Sequence, residues 1–315
     1  MRGVAALVLM LGCGGDPEIP ARLEEVGDVP QNGQDLPAAF DLDGSLVLID
    51  SNTGLRRFAD GRLLTVTGGG GINFGVICVD RDGTLLIGNS NFLQLQRLEP
   101  GDQLIDITPQ PPTSFTRCAG TPNGAYLVQP FGAATTLMLA RDGAAWFDSM
   151  RTLDRTQRAP DGTIYAVENG DIVRLAADDS PQVVASCAEF AGGTCPNLEF
   201  AGVDGAGHVH VAIKGLPDLH VLDPSTGGYR DIALPGGLEI EAVATGPLNT
   251  LVLATDPERQ DARSLWLLPE GGDQLLRFAS LTSSPLQSVF VRILADRAGT
   301  LHVIENGKLS RVVPL

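Results

Sequence analysis

Short apolar runs return along this chain at intervals of about forty residues, and each is launched by a turn. The turns centre on Asp43-Gly44, Asp82-Gly83, Asn123-Gly124, Asp161-Gly162, Ala206-Gly207, Leu248-Asn249 and Ala298-Gly299, with successive spacings of 39, 41, 38, 45, 42 and 50 residues. The runs are Leu46–Ile49, Leu85–Ile87, Tyr126–Val128, Ile164–Val167, Val209–Ile213, Leu251–Ala254 and Leu301–Ile304. Apart from His210 and His302 they are apolar at consecutive positions, the pattern of a strand covered on both faces. An Asp-Gly or Asn-Gly pair between two apolar runs is a hairpin signal, because both central residues take φ > 0. A second, more alternating strand follows each run, as in Leu55–Phe58, Thr136–Leu139 and Leu265–Leu268, and then another turn, as at Asp60-Gly61 or Gly271-Gly272. Each unit thus reads as four short antiparallel strands, one blade of a β-propeller.

The fold class expected is therefore all-β, a seven-bladed β-propeller with six blades as the fallback. Residues 36–315 allow 40 per blade for seven. The last unit ends after its third strand, so Ala21–Val26 is expected to supply the missing outer strand and clasp the ring shut, removing an open edge. The domain plan is a signal segment over 1–13, a tether and closing strand over 14–34, and the propeller over 35–315. Blade one, Phe40–Asp50 followed by Gly54–Gly61 and Thr65–Gly71, resembles the NHL-repeat and related bacterial propellers. The resemblance implies the fold and assigns no chemistry, because propellers serve enzymes, receptors and scaffolds alike.

Met1–Cys13 carries one cation and a short apolar core, the build of a secretory signal and too short to span a membrane. Leu9-Met10-Leu11-Gly12-Cys13 resembles a bacterial lipobox, which implies that Cys13 becomes the acylated first residue of the mature chain. Gly14 after it favours the outer membrane. Export suits the remaining four cysteines, an even set. Cys187 and Cys195 bracket a short loop that a disulfide would close. Cys78 and Cys118 occupy matching places on the inner strands of blades two and three, either bonded to one another or as two buried thiols. With 22 basic and 38 acidic residues the formal charge is −16, which argues against nucleic acid and against adhesion to anionic headgroups. The membrane is expected to be met through the lipid anchor alone.

Candidate chemistry is sparse. The second strands of five blades end in Asp50, Asn89, Glu168, Asp256 and Glu305, which would ring one mouth of the central channel as ligand-binding residues. The competing reading is turn chemistry, in which Asp and Asn accept hydrogen bonds from nearby backbone N–H groups. Asp41, Asp80, Asp204 and Asp296 recur three residues before their turn glycines, and that recurrence points to a structural duty. His208 and His210 share a strand face, but His210 and His302 occupy a register that is apolar in other blades, which reads as a core slot. Glu239 and Glu241 share a strand face as well. No nucleophile elbow, phosphate loop or zinc-helix motif is present, and no catalytic residue is assigned. The function expected is a non-catalytic envelope lipoprotein that binds a protein or glycan partner through one loop-lined face. The alternative is a hydrolase resembling metal-dependent lactonase propellers, with a cation at the channel mouth. No cofactor is required, and calcium is the cation that mouth would suit.

Overall fold

The computed structural model describes residues 21–30, 37–50, 53–67, 74–80, 82–89, 94–108, 115–122, 126–130, 136–139, 147–151, 153–159, 163–168, 170–178, 180–191, 198–258, 262–281, 291–296 and 298–314. The chain opens with β1 (Ala21–Asp28). Blade one is β2 (Ala38–Phe40), β3 (Leu46–Asp50), β4 (Gly54–Ala59) and β5 (Arg62–Thr67). Blade two is β6 (Phe74–Val79), β7 (Leu85–Asn89), β8 (Gln94–Glu99) and β9 (Gln103–Asp106), and blade three is β10 (Phe115–Gly120), β11 (Tyr126–Pro130), β12 (Thr136–Leu139) and β13 (Phe147–Arg151). Blade four holds β14 (Leu153–Arg158), β15 (Ile164–Glu168), β16 (Asp171–Leu175) and β17 (Pro181–Ser186), followed by the one-turn helix α1 (Cys187–Ala191). Blade five is β18 (Leu198–Val203), β19 (Val209–Ile213), β20 (Asp218–Asp223) and β21 (Gly228–Ala233). Blade six is β22 (Glu239–Thr245), β23 (Asn249–Thr255), β24 (Arg263–Pro269) and β25 (Leu276–Leu281). Blade seven takes β26 (Val291–Ala295), β27 (Leu301–Glu305) and β28 (Lys308–Pro314). Among the described residues these strands form seven four-stranded sheets, the last in the order β1-β28-β27-β26. The molecule is an all-β propeller.

Burial follows the position of a strand in its blade. The second strands β3 and β19 are buried at every residue, whereas the fourth strands β5 and β21 are mostly half-buried or exposed. A four-stranded sheet cannot hide both of its faces alone, so neighbouring blades cover one another. Val47, Ile49 and Leu55 of blade one pack with Leu85, Ile87 and Leu98 of blade two. Val167 and Ile172 of blade four meet Val209 and Val211 of blade five, and Leu251 and Leu265 of blade six meet Leu301 and Val303 of blade seven.

The seam joins the two ends of the chain. β1 runs antiparallel to β28, with Ala21 opposite Pro314, Leu23 opposite Val312 and Asp28 opposite Lys308. Ala21 and Leu23 enter the cluster shared by blades six and seven. Ile304 and Leu309 pack with Leu46, Leu48 and Phe58 of blade one. Arg292 of β26 donates to the Ala38 carbonyl of β2 at 3.4 Å, and the rings of His302 and Phe40 lie 4.6 Å apart between centroids. The outer strand expected over Ala21–Val26 is thus present and two residues longer.

Turns between first and second strands, and between third and fourth, lie on what we term the turn face. Gly44, Gly83, Gly207 and Gly299 in these turns have φ between 81° and 88°, as their Asp-Gly and Ala-Gly settings require. The turn of blade six, Gly246 to Asn249, reverses without a left-handed residue. It packs between its neighbours: Gly205 N–H donates to the Pro247 carbonyl at 2.7 Å, and Pro247 rests against Gly299. Second-to-third-strand turns and the crossings to the next blade occupy the opposite, loop face.

Candidate functional site

The five residues expected at the channel mouth lie at the ends of second strands and so share the loop face: Asp50 ends β3, Asn89 ends β7, Glu168 ends β15, Glu305 ends β27, and Asp256 directly follows β23. Their roles divide. Asp50 is buried, its carboxylate accepts the Thr53 hydroxyl, and its carbonyl accepts the Thr53 N–H at 3.2 Å. Asp256 accepts the Glu258 N–H at 2.9 Å and donates its own N–H to the Ala262 carbonyl at 3.1 Å, pinning the longer loop of blade six. These two side chains perform turn chemistry. Glu168 and Glu305 are half-buried at hairpin ends, opposite Asp171 and Lys308 in their ladders. Among the described residues no three His, Cys, Asp or Glu side chains converge to hold a metal. Glu241 is bound to Arg263 at 2.8 Å.

The crossing from blade four to blade five adds α1 to this face. Cys187 begins the helix and is disulfide-bonded; Cys195 and Cys13 lie outside the described residues. Glu189 Oε2 reaches back to within 3.5 Å of the Ser186 N–H, the reciprocal half of a capping box, and its carbonyl accepts the Tyr229 hydroxyl at 3.1 Å. The sequence reading expected a plain loop here; the Ser-x-x-Glu spacing of Ser186 and Glu189 is the signal that marks the helix. Cys78 and Cys118, left open between bond and thiols, form a disulfide across inner strands β6 and β10, with Cα atoms 5.6 Å apart.

The repeated aspartates serve the turn face. Asp204 Oδ1 accepts the N–H groups of Ala206 and His208 at 3.0 and 2.9 Å, while Oδ2 meets His208 Nδ1 and His210 Nε2, each at 3.1 Å. His210 continues through Nδ1 to Thr250 Oγ1 of blade six at 2.9 Å, and Thr250 to Thr245 at 3.2 Å. A buried polar relay therefore crosses from blade to blade. Burial opposes the charge of Asp204, but the bonds from His210 and His208 outweigh it and hold the carboxyl far below its ordinary range. Asp296 repeats the arrangement: it is opposed by burial and bonded to His302 at 3.2 Å and to the Thr300 N–H at 2.8 Å, and its carboxyl is also lowered. Both histidines are buried core groups; His210 is bonded through both ring nitrogens, His302 through Nε2 alone.

Blade one uses arginine for the same duty, which sequence reasoning missed. Arg57 is 6 % exposed; its Nη2 meets Asp41 Oδ2 at 2.6 Å, and its Nε meets Asp102 Oδ1, in the next blade, at 2.7 Å. Asp43, at 3.3 Å, and the Ser45 hydroxyl complete the cluster. Burial disfavours the Arg57 charge, but Asp41 and Asp102 outweigh it and raise its affinity for the proton. The signal was a cation opposite buried Val47 in the β3–β4 ladder.

No family model matches the chain, and no curated protein matches it. Solved structures do. A streptogramin B lyase aligns with TM-score 0.65 at 12% identity, covering 94% of this chain and 98% of the other. YCF48 bound to D1 peptide aligns with TM-score 0.61 at 15% identity, covering 96% and 100%. The extracellular domain of the hybrid two component system BT4673 from B. thetaiotaomicron aligns with TM-score 0.60 at 11% identity, covering 95% of this chain and 43% of the other. At these identities the likeness is one of fold, and that fold includes both a lyase and binding proteins.

Proposed function

We propose that the protein is a lipid-anchored component of the bacterial cell envelope, outer membrane favoured, whose propeller binds a protein partner through its loop face. The observation that carries this reading is how the ionisable groups are employed. Asp50 and Asp256 hold their own loops, Asp41, Asp204 and Asp296 hold the turn face and blade contacts, and no metal-binding trio converges among the described residues. The loop face itself is a scaffolded surface that carries half-buried Glu168 and Glu305 and a capped, disulfide-bonded helix, a shape suited to recognition. A solved neighbour bound to a peptide supports the same use of the fold. The acidic rim favours a partner with basic side chains; a glycan is the second ligand class such a face would serve. The envelope address rests on the lipobox resemblance at Cys13 and on the Cys78–Cys118 disulfide, which belongs to an oxidising compartment.

Envelope extract passed over the immobilised wild type should yield a reproducible protein that Glu168→Lys with Glu305→Lys fails to hold, with both proteins melting alike. Recovery of the same material by both proteins would refute the loop face as the binding surface. A calcium-dependent rise in melting temperature, abolished by chelator, would instead revive a metal site at the mouth.

A further inference from the structure

Ala21 begins β1 opposite Pro314, at the end of blade seven that carries the turn from Ala295 to Leu301. It stands where other blades place their third-to-fourth-strand turns, so the chain enters the propeller from the turn face, at its rim. Seven residues, Gly14 to Pro20, separate Ala21 from Cys13. Fully extended they span at most about 25 Å. An anchor on Cys13 therefore holds this sector of the turn face near the bilayer.

We infer that the turn face across blades six, seven and one lies against the lipid surface, with Leu42 and Leu248 seated at the boundary of headgroups and acyl chains. The inference rests on the lipid-anchor reading above and adds to it an orientation and a contact. Leu42 is 47% exposed in the first turn of blade one, and Leu248 is 55% exposed in the first turn of blade six. Those blades flank blade seven, so the two leucines bracket the strand from which the tether departs. The other large apolar side chains exposed among the described residues lie elsewhere: Leu64, Ile105, Val183 and Tyr229 on fourth strands, and Leu216 at the loop face of blade five. The supporting backbone is fixed by the packing of Pro247 on Gly299 and by Arg57, which holds Asp43 and Asp41 on either side of Leu42. Exposed Arg22, next to Ala21, sits at the height of the headgroups and suits their phosphates. The net charge of −16 repels anionic lipid, so the contact is apolar and suits a zwitterionic surface. In this pose the loop face, with Glu168, Glu305 and α1, points away from the membrane toward its partner.

The test uses the full-length acylated protein on phosphatidylcholine vesicles, with a fluorophore on Leu42→Cys, on Leu248→Cys or, for reference, on Glu168→Cys. Lipids brominated along the acyl chain should quench the probes at 42 and 248 at least twofold and leave the probe at 168 unchanged. Quenching at 168 alone, or at none of the three while the protein sediments with vesicles, would overturn the orientation. Shielding of 42 and 248 from aqueous iodide without lipid quenching would overturn it in favour of a second protein on that face. Sedimentation that fails for the wild type, or persists undiminished in Cys13→Ala, would refute the anchor itself and so separates the two readings.

Discussion

Arg57 sits between three carboxylates of two blades, and no neutral side chain can replace it without stranding Asp41. Arg57→Met should lower the unfolding free energy by about 3 kcal/mol, since removing one partner leaves a buried charge unmatched; chemical denaturation gives the value, and a loss below 0.5 kcal/mol would contradict the role. The histidine blades make a pH-dependent counterpart. Asp204 and Asp296 are held below their ordinary value of 3.8 when folded. Their stabilisation is therefore complete above about pH 4 and is lost as pH falls through the lowered values. The urea midpoint should drop steeply below pH 4 in the wild type and less steeply in Asp204→Asn; parallel curves would refute the linkage. The recurrent aspartates were legible in the sequence because they stand at one repeat position. Arg57 was not, because its partners lie 16 and 45 residues away and only the ring brings them together.

At the scale of elements, the second strands were readable because burial on both faces leaves apolar residues at consecutive positions, as in Leu46–Ile49. Their Gly turns were readable because the backbone there needs φ > 0. The turn of blade six is the weak repeat in sequence for the matching reason: Gly246-Pro247-Leu248-Asn249 reverses without such a residue. Helix α1 escaped notice because five residues carry no helical periodicity, and only its cap is visible. The ends of the second strands were legible in position, since they share one face. Asp50 and Asp256 turned out to bind their own loops, which depends on backbone geometry that composition does not encode. Between blades two and three the Cys78–Cys118 bond closes a loop with a sequence separation of 40. Loop-closure entropy for that length suggests a contribution of roughly 2–4 kcal/mol. Reduction under non-denaturing conditions should lower the melting temperature without changing the far-ultraviolet strand signal; an unchanged melting temperature would show that interblade packing alone holds the two inner strands.

The whole molecule depends on a seam made by its two ends. β1 is the fourth strand of blade seven, and its exposed ion pairs, Arg311 with Glu24 and Lys308 with Glu25, stabilise it only modestly. Apolar insertion of Ala21 and Leu23 between blades six and seven does more. In the proposed anchored form the same strand would carry the tether, and so would fix both the closure of the ring and the face turned toward a partner. Residue-resolved hydrogen exchange on the full-length protein tests this most directly. Amides of Ala21–Asp28 that point into the β28 ladder should exchange as slowly as those of β28 itself, in one cooperative unit with blade seven. Exchange of β1 at the rate of an unstructured peptide, with β28 still protected, would contradict a ring closed by the N-terminal strand.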